Sequence, residues 1–151
     1  EGGLQMNIQE LQTIVTYQLP IVLFVINNDG YLTIKSMQQN HFGRLVGSDP
    51  SSNVECPNMG KIAKAYGLDF IRLSSHDELH EKLDFVLSLD EPIVCEIMMN
   101  PNQPLIPRVS SMKLPDGKVV SKPMEDLFPF LPRDEFEENM IIDSVEILNK
   151  E

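Results

Sequence analysis

Leu4, Ile8, Leu11 and Val15 recur at helical spacing through a stretch that holds neither Gly nor Pro, so the pattern predicts one amphipathic helix over residues 4–15. Leu19-Pro20 breaks it. The unbroken β-branched and aromatic run Ile21-Val22-Leu23-Phe24-Val25-Ile26 predicts a parallel strand buried on both faces. Asn27-Asn28-Asp29-Gly30 ends that strand as a turn, and from there to about Pro57 the chain is polar and weakly periodic, the pattern of a long binding loop. Residues 60–66 read as a short helix closed by Gly67, and residues 69–73 as a short strand. Residues 77–89 form a second amphipathic helix with Leu79, Leu83 and Val86 inward, and residues 92–97 another strand. Strands alternating with helices imply a parallel sheet with right-handed crossovers.

The composition changes after Asn100. Five prolines fall between Pro101 and Pro123, and two more at Pro129 and Pro132, which predicts an extended arm in place of another strand-helix unit. The chain therefore divides into an α/β domain over residues 1–100 and an arm over 101–151 that ends in a short acidic helix at residues 133–140. Within the arm, Met124-Glu125-Asp126-Leu127-Phe128-Pro129-Phe130-Leu131 carries apolar anchors that need covering, by this domain or by a neighbour. At 151 residues and 42% apolar content there is material for one real core.

Charge narrows the function. With 12 basic against 23 acidic residues, the net charge of −11 repels nucleic acid and anionic membrane surfaces, and neither is an expected partner. No apolar run approaches membrane-spanning length and the first segment has no signal-peptide pattern, so a cytoplasmic protein is expected. Cys56 and Cys95 lack metal or disulfide spacing and read as reduced thiols.

Gly2-Gly3 ahead of a helix offers unpaired backbone N–H groups suited to a diphosphate. A diphosphate calls for a hard divalent cation such as Mg²⁺, which prefers oxygen ligands; Glu1, Asn28 and the Gly30 carbonyl can supply them. The helix and strand between return the chain so that both ends of the set meet at the carboxyl edge of the sheet, where open α/β folds bind ligands.

The run Glu1-Gly2-Gly3-Leu4-Gln5-Met6-Asn7-Ile8-Gln9-Glu10-Leu11-Gln12-Thr13, followed by Asn27-Asn28-Asp29-Gly30-Tyr31, resembles the thiamine diphosphate signature that begins Gly-Asp-Gly and ends Asn-Asn. On it the chain is similar to the carboxy-terminal domain of the acetolactate synthase family, over residues 1 to about 100. The resemblance implies a three-layer α/β/α parallel sheet of the thiamine diphosphate-binding type, truncated at its amino-terminal side. It implies Glu1, Asn28 and the Gly30 carbonyl on Mg²⁺, Gly2 and Gly3 on the diphosphate, and Met6 and Tyr31 beside the cofactor. It further implies decarboxylation of a 2-oxoacid such as pyruvate and transfer of the two-carbon unit to an acceptor. The activating glutamate would lie in a pyrimidine-binding domain of a second subunit, which leaves no catalytic base here. A homo-oligomer is expected, with the chain by itself binding the cofactor weakly and inactive.

Two departures stand out. Glu1 replaces the usual Asp, adding one methylene to a carboxylate that must still sit about 2.1 Å from the metal. After the turn, where acetolactate synthases commonly read Gly-Met-Val-x-Gln-Trp-Gln, this chain reads Leu32-Thr33-Ile34-Lys35-Ser36-Met37-Gln38. The acceptor substrate stays open, and a decarboxylase, a specialised sugar carboligase and a non-catalytic relic of the fold remain alternatives. Lys35, Gln38 and His41 lie where they can reach a substrate, although solvated loop residues are the commoner case; His76 and His80 have zinc spacing without a third ligand.

Overall fold

A computed structural model describes residues 2–113 and 116–142. The chain divides into two compact units, Glu1–Gln103 and Pro104–Glu151.

The first unit is built on a three-stranded parallel sheet of β1 (Val22–Asn27), β2 (Asp69–Leu73) and β3 (Ile93–Met98), in the order β1-β3-β2. One face is covered by α2 (Leu11–Thr16) and α4 (Met59–Tyr66), whose Leu11, Met59 and Ala63 pack with Val25, Leu68 and Val94. On the other face, Val86 of α5 (Leu79–Leu87) packs with Leu73, Ile93 and Cys95. The three-layer α/β/α arrangement follows from that division: successive strand residues point to opposite faces, and each face has its own helices.

The helices start and stop where side chains dictate. Asn58 caps α4 by accepting the Lys61 N–H at 2.9 Å, and Gly67 ends it at φ 76°. The single helix expected over residues 4–15 is instead α1 (Gly2–Met6), a 3-10 turn at Ile8–Glu10, and α2. The break falls at Asn7, a poor helix former, which leaves the helical region at φ −134°. Leu4, Ile8 and Val15 still reach the core beside Leu11.

Two other expectations need correction. β1 is not buried on both faces: α5 packs on β2 and β3, and Phe24 and Ile26 of β1 stay 39% and 40% exposed. The long loop after Gly30 contains an eleven-residue helix, α3 (Leu32–Phe42). It was illegible because its apolar residues Leu32, Ile34, Met37 and Phe42 do not share one helical face, and Leu32 is its one buried residue.

In the second unit, β4 (Ser111–Lys113) and β5 (Val119–Ser121) pair antiparallel, and α6 (Arg133–Glu138) follows. The anchors expected to need covering are still open, with Met124 81%, Phe128 41% and Leu131 44% exposed. The buried residue of that segment is an acid, Asp126, held by Arg133 at 2.7 and 2.9 Å and by Lys122 at 2.9 Å. These partners, Arg133 foremost, keep its carboxyl below the usual range.

Candidate functional site

The carboxyl ends of the strands carry the turn Asn27-Asn28-Asp29-Gly30, and the chain's first helix comes back to it. The Tyr31 ring lies against Gly2, where an added Cβ would stand 2.4 Å from Tyr31 Cδ1. Two segments separated by a helix and a strand thus meet at one edge, as the return of the chain required.

Asn28 contributes the most informative atom. Its Oδ1 is buried and has no hydrogen-bond partner, an arrangement that costs about 1–3 kcal/mol unless something binds there. Gly30 is buried at φ 151°, and a Cβ on it would stand 2.5 Å from the Ser48 carbonyl oxygen. The Tyr31 N–H donates to that same oxygen at 2.8 Å. Gly30 is therefore the residue that lets the turn press onto the backbone of the following loop. Amide and backbone oxygens suit a hard divalent cation, so the donor set here fits Mg²⁺ chemically.

The other expected site residues distribute as follows. Glu1 lies outside the described residues. Gly2 opens α1, Gly3 is exposed with nothing near its Cβ position, and Met6 is 82% exposed. Lys35 is occupied structurally: its Nζ donates to Asn102 Oδ1 at 3.1 Å and pairs with Asp49 at 3.2 Å. Gln38 clamps Val46, donating to its carbonyl and accepting its N–H, each at 2.9 Å. His41, His76 and His80 are exposed.

Sequence reasoning missed the support beneath the turn. Ser48 and Asp49 are buried, and Asp49 caps the 3-10 turn at Pro50–Ser52. The Ser51 hydroxyl at 2.7 Å, then Ser52 and Lys35, hold the Asp49 carboxyl down to about 2 against the opposing effect of burial. A depressed folded-state value contributes stability that is complete above the ordinary carboxylate range near 3.9 and is lost as pH falls toward 2. Urea midpoints measured from pH 5 down to 2 should therefore fall less steeply for Asp49→Asn than for the wild type. Equal acid losses in the two proteins would remove Asp49 from the account. The missed signal was a Ser-Asp-Pro-Ser-Ser capping sequence at residues 48–52.

Also missed was Glu96, 1% exposed on the central strand, although a single acid inside the apolar run of residues 92–97 was visible. Its Oε1 accepts from Asn27 Nδ2 at 2.7 Å and its Oε2 from Arg72 Nε at 2.6 Å.

Residues 1–97 match the model of the family described as thiamine pyrophosphate enzyme, C-terminal TPP binding domain. The chain is 32% identical over 112 residues to a probable acetolactate synthase large subunit of Methanocaldococcus jannaschii, covering 71% of this chain and 18% of that protein. It is 29% identical over 130 residues to the acetolactate synthase large subunit of Haemophilus influenzae, covering 83% and 22% respectively. This chain thus spans about a fifth of the length of the curated relatives it matches. A thiamine diphosphate-dependent 4-hydroxybenzoylformate decarboxylase of Rhodococcus jostii RHA1 shares the fold, with a TM-score of 0.59 and 21% identity over 66% of this chain and 18% of that one. Among the described residues no helix is long and apolar enough to cross a membrane. With its Gly-rich start, its Asn-Asn turn and the sheet that joins them matched as one unit, the chain belongs to the C-terminal, cofactor-binding domain family of thiamine pyrophosphate enzymes.

Proposed function

We propose that this chain anchors thiamine diphosphate through Mg²⁺ in a cytoplasmic 2-oxoacid carboligase resembling acetolactate synthase, which decarboxylates pyruvate and passes the two-carbon unit to an acceptor. The observation that carries the reading is the buried, unpartnered Asn28 Oδ1 at the carboxyl edge of the sheet. Asn28 Oδ1, the Gly30 carbonyl and the Glu1 carboxylate would hold the metal, and the backbone N–H groups of Gly2 and Gly3 would bind the diphosphate. Met6 and Tyr31 would pack beside the cofactor, with Met6 covered only when it is bound. Bound thiamine diphosphate supplies the electron sink for losing CO₂ from a 2-oxoacid, and the protein supplies binding and orientation.

In this reading no residue of the chain is the catalytic base. That group belongs to a pyrimidine-binding domain of a second subunit, and the half-exposed Phe24, Ile26, Phe85 and Leu87 give an oligomer apolar surface to cover. One observation favours a decarboxylase or a specialised sugar carboligase on the same half-site. The segment Leu32-Thr33-Ile34-Lys35-Ser36-Met37-Gln38 departs from the acetolactate synthase pattern, and Lys35 and Gln38 are spent on structural contacts.

Calorimetry of the native full-length protein with thiamine diphosphate should show binding that requires Mg²⁺. Product analysis should then show CO₂ and a ligated product from pyruvate. No binding with or without the metal would leave a non-catalytic relic, and CO₂ without ligation, with or without aldehyde acceptors, would favour the decarboxylase.

A further inference from the structure

Glu96 lies on the face of β3 that also carries Val94, opposite Val25 of β1 and Arg72 of β2. It is 1% exposed, so its two oxygens depend on protein partners, and it has one on each neighbouring strand: Asn27 Nδ2 at 2.7 Å and Arg72 Nε at 2.6 Å. A carboxylate only accepts, which settles which way the Asn27 amide faces. The NH₂ must point to Glu96, and the Oδ1 is left on the other side, where it accepts the Asp29 N–H at 3.0 Å. A reversed amide would set oxygen against carboxylate and NH₂ against N–H. The Asn27 carbonyl is held as well, accepting the Met99 N–H at 2.8 Å. Asp29, at φ 57°, is the left-handed residue between Asn28 and Gly30, and its backbone is tied to the sheet through Asn27.

We propose that Glu96 is a positioning residue for the cofactor-anchoring turn: by orienting the Asn27 amide it sets the Asp29 backbone, and with it the presentation of Asn28 Oδ1 and the Gly30 carbonyl. The consequence for metal binding rests on the function proposed above; the consequence for the turn does not. Arg72 serves to balance the buried charge of Glu96.

The test uses Glu96→Gln in the native protein. A glutamine cannot accept from both neighbours: facing its oxygen to Arg72 turns its NH₂ toward Asn27, whose amide must then reverse and lose Asp29. Hydrogen exchange read by mass spectrometry on peptides covering residues 26–31, without metal or cofactor, should show the turn opening at least about tenfold faster. Exchange through β2 and β3 should stay at the wild-type rate, and Mg²⁺ affinity in the presence of thiamine diphosphate should fall by about tenfold or more. Arg72→Gln, which leaves the Asn27 to Glu96 bond in place, should leave turn exchange unchanged. If Glu96→Gln does not fold, Asn27→Ala removes the same link while Glu96 keeps Arg72, and the same two effects are expected. Unchanged turn exchange, or acceleration spread evenly over the sheet, overturns the proposal. A wild-type protein that binds no Mg²⁺ instead refutes the cofactor reading, and turn exchange still decides the role of Glu96.

Discussion

Asn28→Ala is expected to weaken Mg²⁺-dependent thiamine diphosphate binding at least about 100-fold, because losing a metal ligand costs more than the 10- to 100-fold typical of its supporting partners. Stability should hardly change. In the wild type the buried Asn28 Oδ1 has no partner, a burden of about 1–3 kcal/mol that the alanine variant does not carry and that offsets its lost packing. Calorimetric titration of Mg²⁺ at saturating cofactor, set beside thermal midpoints in the absence of both, reads the two effects separately. Asn28→Asp supplies the control: a carboxylate oxygen at the same position should restore metal binding. A structural role for the asparagine predicts the opposite pattern, lowered midpoints with affinity kept, and that result would sink the assignment of Asn28 as a ligand.

Gly30→Ala should damage the fold itself. Its φ of 151° is one that L side chains rarely adopt, and the added Cβ would stand 2.5 Å from Ser48 O and 3.1 Å from the Asp49 Cα. Relief requires moving backbone that is buried and tied by the Tyr31 N–H to Ser48 bond. Strain and the weakened hydrogen bond together should cost about 3 kcal/mol, enough to lower the thermal midpoint by roughly 10 °C. Gly3→Ala makes the comparison sharp, since nothing lies within 4 Å of its Cβ position and it sits in α1. That variant should hold the wild-type midpoint or raise it slightly. Equal midpoints for Gly30→Ala and the wild type would mean that the loop at Ser48 yields freely and does not brace the turn.

These two substitutions bear on residues that the signature names, yet for reasons of different origin. That Asn28 carries an amide oxygen suited to a hard cation was readable from residue type and spacing. The steric role of Gly30 was not, because Ser48 reaches it only after α3 has turned the chain back. The residues that brace the turn were hidden in the same way. Glu96 stands 69 positions from Asn27, and Lys35 reaches Asn102 across 67, distances over which no periodicity carries information.

The sequence by itself determined the alternation of strands and helices, the parallel sheet and the return of the chain's start to the end of β1, where Gly2 lies against Tyr31. Each depends on local periodicity, on Gly and Pro punctuation, or on a signature whose spacing is set by one helix and one strand. Tertiary structure alone decided that β3 is central and β1 an edge, and that Phe24 and Ile26 are half-exposed where an apolar run suggested full burial. It decided that residues 32–42 form a helix despite having no apolar face, and that Asp126 is the buried residue of a segment rich in Phe and Leu. The physical reason is common to the last two. A polar or charged side chain is placed by the partners that satisfy it, and those partners are supplied only when distant parts of the chain have come together.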